Sequence, residues 1–226
     1  MRHPIVIVPG IGGSGPEHWQ SLWQAEFTDV RRIDPASWDH PELDDWIAAI
    51  DRAVAASPAP PVLVAHSLGC LAVAQWASRV GALGVGDGAD AASARRSAAR
   101  PGPGPGRGPG PEEAPRAVAG AFLVAPPDID GPEFPADVMG FGVPSPGPLP
   151  FAAVLVASSD DPYCSRGHAV DLAADWQAAI IDIGAHGHVN VASGFGPWPE
   201  GRRLLEDFVE SQAGAGAGAP TRLREG

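Results

Sequence analysis

The chain has 226 residues, enough for one domain with a substantial buried core, and a formal net charge of -12 in which every strongly basic residue is arginine. That balance argues against nucleic acid as a partner, and two isolated cysteines, Cys70 and Cys164, suggest neither a disulfide framework nor a metal site. The apolar run that follows the N-terminus is too short for a signal-peptide core and no later one reaches the roughly 18 residues of a membrane span, so a cytoplasmic protein without membrane contact is expected.

In chain order, short β-branched or apolar runs at residues 5–8, 30–33, 62–65, 118–124, 153–157 and 178–183 read as strands. Helical patterns separate most of them: Trp19, Leu22, Trp23 and Phe27 share one face, Leu43, Trp46, Ile47, Ile50 and Val54 another, and Leu71, Ala74, Gln75 and Ala77 open a third. Strands apolar on both faces, alternating with helices, predict an α/β fold: a three-layer αβα sandwich around a mostly parallel six-stranded sheet in the order 2-1-3-4-5-6. Residues 81–116 interrupt the pattern with a Pro-Gly repeat and no apolar period, and 213–226 alternates Gly and Ala. Both are expected to be disordered, leaving one domain over 1–212 interrupted by the insert. The insert follows the helix that leaves strand 3, so it should emerge at the opposite edge from the site, whereas residues 126–150 leave the carboxyl end of a strand and should wall a pocket.

The chemistry gathers at three strand ends. Val62-Leu63-Val64-Ala65-His66-Ser67-Leu68-Gly69 is a strand, a sharp turn and a helix start: a nucleophile elbow, which exposes the central hydroxyl above the sheet and needs small neighbours two residues to either side. Gly69 supplies one and Ala65 stands where glycine is usual; the plainer reading is that Ser67 merely caps the helix. A serine needs a base, itself oriented by a carboxylate. Strand 5 ends in Ser158-Ser159-Asp160-Asp161-Pro162 and strand 6 in Gly184-Ala185-His186-Gly187-His188, which completes the order Ser, Asp, His. Within each pair Asp161 is favoured because Pro162 fixes its turn, and His188 because Gly187 lets the loop bend. Asp128, after strand 4, is the rival acid. His66 should point away from the hydroxyl, and His3, His18, His40 and His168 default to surface or structural roles.

The loop Pro9-Gly10-Ile11-Gly12-Gly13-Ser14-Gly15-Pro16 can bring a backbone N–H to the reaction centre, so Leu68 and Ile11 are the expected oxyanion-hole donors. Gly12, Trp19 and Trp198 are candidates for the substrate pocket, with Trp38 a further aromatic candidate. The same loop satisfies G-x-G-x-x-G, with Asp34 placed as a ribose-binding acid, which keeps a dinucleotide enzyme as an alternative; an inactive binding scaffold is another.

The stretches 5–14, 65–69, 159–163, 187–190 and 194–201 together resemble the family of compact serine hydrolases typified by YdeN and retinoblastoma-binding protein 9. The resemblance implies an α/β-hydrolase fold without a cap domain, with Ser67 as nucleophile, Asp161 as orienting acid and His188 as base. The expected activity is cleavage of a small ester, thioester or amide through an acyl-enzyme. It needs no cofactor and no metal, and its expected partner is a small-molecule acyl substrate, with no obligate protein partner.

Overall fold

The computed structural model describes residues 3–85, 117–142 and 145–215. Six strands, β1 (Ile5–Val8), β2 (Val30–Arg32), β3 (Val62–His66), β4 (Gly120–Val124), β5 (Ala153–Ala157) and β6 (Ala179–Asp182), form one parallel sheet in the order β2-β1-β3-β4-β5-β6. This is the order expected from the sequence, with strand ends differing by a residue or two. Parallel pairing demands a crossover after each strand. Helices α1 (Trp19–Glu26) and α5 (Pro199–Ala215) cover one face of the sheet, and α2 (Leu43–Ala55), α3 (Leu68–Val85) and α4 (Arg166–Trp176) cover the other.

Period-two alternation divides the strand side chains between two cores. Val6, Val8, Leu63, Leu123 and Leu155 pack with Trp46, Trp76 and Trp176 on the three-helix side, while Ile5, Ile7, Val64, Phe122 and Val156 pack with Trp19, Trp23 and Leu205 on the other. β1, β3, β4 and β5 are buried throughout, and each such aliphatic side chain contributes about 1.5–3 kcal/mol of hydrophobic stabilisation.

Register fixes where the chemistry goes. Val8 pairs with Ala65, His66 with Val124, Val124 with Val156 and Ala157 with Asp182, so the loops that follow β1, β3, β4, β5 and β6 all open on one edge. The chain returns to the described fold at residue 117 and enters β4 through Ala119, whose N–H donates to Pro61 O at the opposite, amino edge. Residues 81–85 and 213–215 continue α3 and α5 rather than beginning the insert and the tail, because extending a formed helix adds one hydrogen bond per residue fixed. The remainder of both segments, 86–116 and 216–226, lies outside the described residues. Within 126–150, Phe141 is buried edge-on against Trp46 at 5.4 Å and Leu43 N–H donates to Met139 O, which ties this segment to α2.

Candidate active site

Ser67 sits at the β3–α3 junction with φ 52, a left-handed conformation that costs a non-glycine residue about 1–2 kcal/mol. The strain is held by its neighbours: Ser67 N–H donates to Val124 O, and Cys70 N–H to Ser67 O. Two glycines are required by close approach. A Cβ on Gly69 would lie 2.4 Å from Val8 O, and one on Gly10 would lie 2.9 Å from Ser67 Cβ. The departure at Ala65 is absorbed, since its methyl is fully buried in the three-helix core.

His188 Nε2 lies 2.8 Å from Ser67 Oγ, and its Nδ1 lies 2.9 and 3.0 Å from the two carboxylate oxygens of Asp161. A carboxylate only accepts, so Nδ1 carries the ring proton and Nε2 presents its lone pair to the hydroxyl, which donates to it. The Asp161 side chain is 2 % exposed and that of His188 8 %. Asp161 Oδ1 also accepts the N–H of Tyr163, which fixes the carboxylate plane. Ser67, Asp161 and His188 are thus brought together, and the alternatives lie elsewhere: Asp128 faces His168, and His186 packs edge-on against Phe195.

The loop that carries His188 is held from several sides. Asp160, adjacent to Asp161 but exposed, accepts Gly187 N–H at 2.7 Å and the Ser158 hydroxyl at 2.9 Å; these bonds hold its carboxyl below the usual range. Ser158 Oγ accepts His186 N–H, Ser193 Oγ accepts His188 N–H, and Trp19 Nε1–H donates to Val189 O. Gly187 is obligatory, because at φ 56 a Cβ would lie 2.5 Å from Ser193 Oγ. His66 Nε2–H donates to His188 O at 2.9 Å with the two rings 4.9 Å apart, so this histidine bonds the His188 loop rather than the Ser67 hydroxyl. A strand-end position hid this, since it fixes the backbone place of His66 but not which loop packs over it. Burial, with His188 and His18 close by, pushes the His66 pKa well below its ordinary value.

A cavity of about 460 Å3 opens over Ser67, within the range of small-molecule sites. Its lining includes Ile11, Gly12, Ser67, Leu68, Tyr163, His188 and Val191, with Pro127 and Pro135 contributed by the 126–150 segment as expected. Gly12 N–H is committed to Trp38 O and Gly13 N–H to Gly10 O, while Ile11 and Leu68 line the cavity beside Ser67. Trp19 and Trp198 do not line it. They are buried to 0 % and 6 % exposure in the two-helix core, Trp198 stacked on Trp23, because an indole this large gains more from full burial beside α5 than from a pocket wall. A Cβ on Gly201 would collide with the Trp198 ring, which accounts for the Trp-Pro-Glu-Gly sequence. Trp38 lies under Gly13 and packs on Trp46, supporting the first loop from beneath. His18, expected to be structural or exposed, is buried and lines the cavity; its cue in the sequence was its place at a helix start.

Neither cysteine competes as a nucleophile: both are buried, and burial pushes the Cys164 thiol up to about 12 and that of Cys70 higher still. The glycine loop departs from the dinucleotide-binding arrangement. It coils into a short 3₁₀ turn over Ile11–Gly13, and α1 begins only at Trp19 with its N-terminus capped by His18, so the glycines do not open the helix that follows β1.

A protein-family model for serine hydrolases matches residues 5–89 and 111–207. Among solved structures, a YdeN-like hydrolase from Pectobacterium atrosepticum is similar at 29% identity and TM-score 0.67, over 92% of this chain and 91% of that one. The ydeN gene product of B. subtilis is 19% identical at TM-score 0.63, over 94% and 99%. Thermogutta terrifontis esterase 2 is 15% identical at TM-score 0.59, over 97% and 86%, a likeness of fold. A search among curated proteins returns no match. With an elbow serine at the end of β3, a buried carboxylate after β5 and a histidine after β6, and a family model that spans most of its length, the chain belongs to the serine hydrolase family, as a YdeN-type member with the α/β-hydrolase fold.

Proposed function

We propose that Ser67, His188 and Asp161 form the catalytic triad of an acyl hydrolase acting on a small ester, thioester or amide. The observation that carries this reading is the continuous chain of hydrogen bonds from Ser67 Oγ through the His188 ring to Asp161, at 2.8 and 2.9 Å, on the floor of an open cavity. Ser67 Oγ attacks the carbonyl carbon as its proton passes to His188 Nε2, and Asp161 holds the tautomer and stabilises the imidazolium. The oxyanion faces the N–H groups of Leu68 and Ile11, each worth roughly 3 kcal/mol in the transition state. The tetrahedral intermediate collapses when His188 returns the proton to the leaving oxygen, sulfur or nitrogen. Water, deprotonated by the same nitrogen, then releases the acid from Ser67.

Labelling with a fluorophosphonate probe tests the reading. The wild-type chain is expected to be labelled, and Ser67→Ala and His188→Ala to lose the label while retaining the wild-type melting profile to within a few degrees. Undiminished labelling of Ser67→Ala would place the nucleophile elsewhere.

A further inference from the structure

One polar group in the cavity is left idle by this scheme. The ring of His18 is held between Trp19 and His66, at centroid distances of 5.3 and 4.9 Å, and lines the cavity over Ser67. Its Nδ1 accepts the N–H of Gln20 at 3.2 Å as the N-cap of α1. A ring nitrogen that accepts carries no proton, so the hydrogen is on Nε2. Among the described residues Trp176 Nε1 is the buried side-chain donor without a partner; His18 Nε2–H, which no residue takes, therefore opens on the cavity. Burial, with Arg32 and His188 nearby, lowers the His18 pKa to about 4, so this donor is neutral across the ordinary pH range.

The rest of the lining narrows the ligand. It contains no Asp, Glu or Arg, and the side chains at its mouth, Ile11 and Val191, are apolar and 42% and 44% exposed. Nothing there offers an ion pair to a carboxylate, a phosphate or an ammonium group. His18 contacts His66, which contacts His188 in turn, and Asn190, Val191 and Ala192 continue the wall beyond His188. The donor thus joins a run of ring contacts along the cavity that ends at His188, which protonates the departing group.

We propose that His18 is a specificity residue, its Nε2–H donating to an acceptor oxygen carried by the leaving group of an uncharged ester. This rests on the acyl-hydrolase reading above. A polar recognition site favours the ligand that pairs it, because the analogue lacking the acceptor leaves the donor unpaired.

The test is a matched pair of butanoate esters, 2-methoxyethyl and butyl, which differ in one ether oxygen against a methylene. The wild type is expected to favour the 2-methoxyethyl ester by about tenfold in kcat/KM. In His18→Asn, which keeps a good N-cap acceptor but is too short to reach the cavity, the preference should fall to near parity with the butyl rate held within about threefold. His18→Ser, another N-cap residue, serves should the Asn variant not fold. Wild type without the preference, equal losses on both esters, or a variant effect seen instead with an acyl-side pair (butyl pentanoate and butyl 3-methoxypropanoate) would overturn the proposal. Fluorophosphonate labelling separates the two levels: a labelled enzyme without the preference removes the role of His18 alone, whereas an unlabelled wild type removes the acyl-hydrolase reading beneath it.

Discussion

The two ends of the sheet are built to different standards. At the amino edge the backbone closes on itself: Val62 N–H donates to Pro4 O, Ala119 N–H to Pro61 O and Ala121 N–H to Ala152 O, with Phe208 packed over Gly120. At the carboxyl edge Ser67, Ala125 and Val189 have φ of 52, 52 and 50, and His18, His66, Ser158, Asp161 and His188 are buried polar side chains. Strain and polar burial each cost stability. Both are heavier at the carboxyl edge, where they hold the reactive groups in place, than at the amino edge, where Gln177 at φ 52 and the unpaired Trp176 Nε1 sit between α4 and β6.

Removing the reactive groups should break the contrast most sharply. Ser67→Ala or His188→Ala is expected to lower kcat by about 10⁵–10⁶-fold in a p-nitrophenyl ester assay. Ser67→Gly should be equally inactive yet melt higher, because glycine relieves the left-handed strain of about 1–2 kcal/mol; a lower melting temperature would show that the elbow is not strained. Asp161→Asn keeps the shape but disturbs the tautomer of His188 and should cost about 10⁴-fold in kcat. Asp160→Asn leaves the triad intact and weakens the acceptor for Gly187 N–H, so a loss of about 10²-fold through misplacement of the His188 loop is expected, with labelling slowed rather than abolished. At the amino edge the expected result inverts. In Gly120→Ala a Cβ would lie 2.8 Å from Phe208 Cζ and 2.9 Å from Ala152 O, so stability should fall by about 1–3 kcal/mol in urea unfolding with kcat unchanged.

Acid tests the polar burial itself. His18 is held at about 4 against an ordinary 6.5, so between these values the unfolded chain binds a proton that the folded one refuses. Stability must therefore decline as pH falls from 6.5 toward 4 and this contribution should level off below, a total of roughly 3 kcal/mol for His18, with buried His66 acting in the same direction. His18→Asn should flatten the slope of unfolding free energy against pH in that window; an unchanged slope would show that His18 titrates normally.

The strand order and the three loop ends were legible because they rest on local signals: apolar runs, a sharp strand-to-helix turn, Pro162 after an acid and Gly187 before a histidine. What failed was anything set by packing between distant elements. Trp19 and Trp198 were pocket candidates against a core reading that any single tryptophan favours, and the decision came from α1 meeting α5 on one face of the sheet. The bond from His66 to the His188 carbonyl and the place of His18 in the cavity wall were likewise beyond local signals, since the first spans 122 residues and the second depends on loops from several strand ends. The hold of exposed Asp160 on Gly187 could not be anticipated before the β5 and β6 loops were seen side by side.

The central claim is that Ser67 carries the acyl group during turnover, and trapping that species tests it most directly. Rapid acid quench of the wild type turning over p-nitrophenyl butanoate, followed by peptide mass spectrometry, is predicted to find the butanoyl mass on the peptide spanning Ser67 and nowhere else, and to find none on that peptide in Ser67→Ala. Acyl label on another residue, or full turnover by Ser67→Ala, would contradict the account.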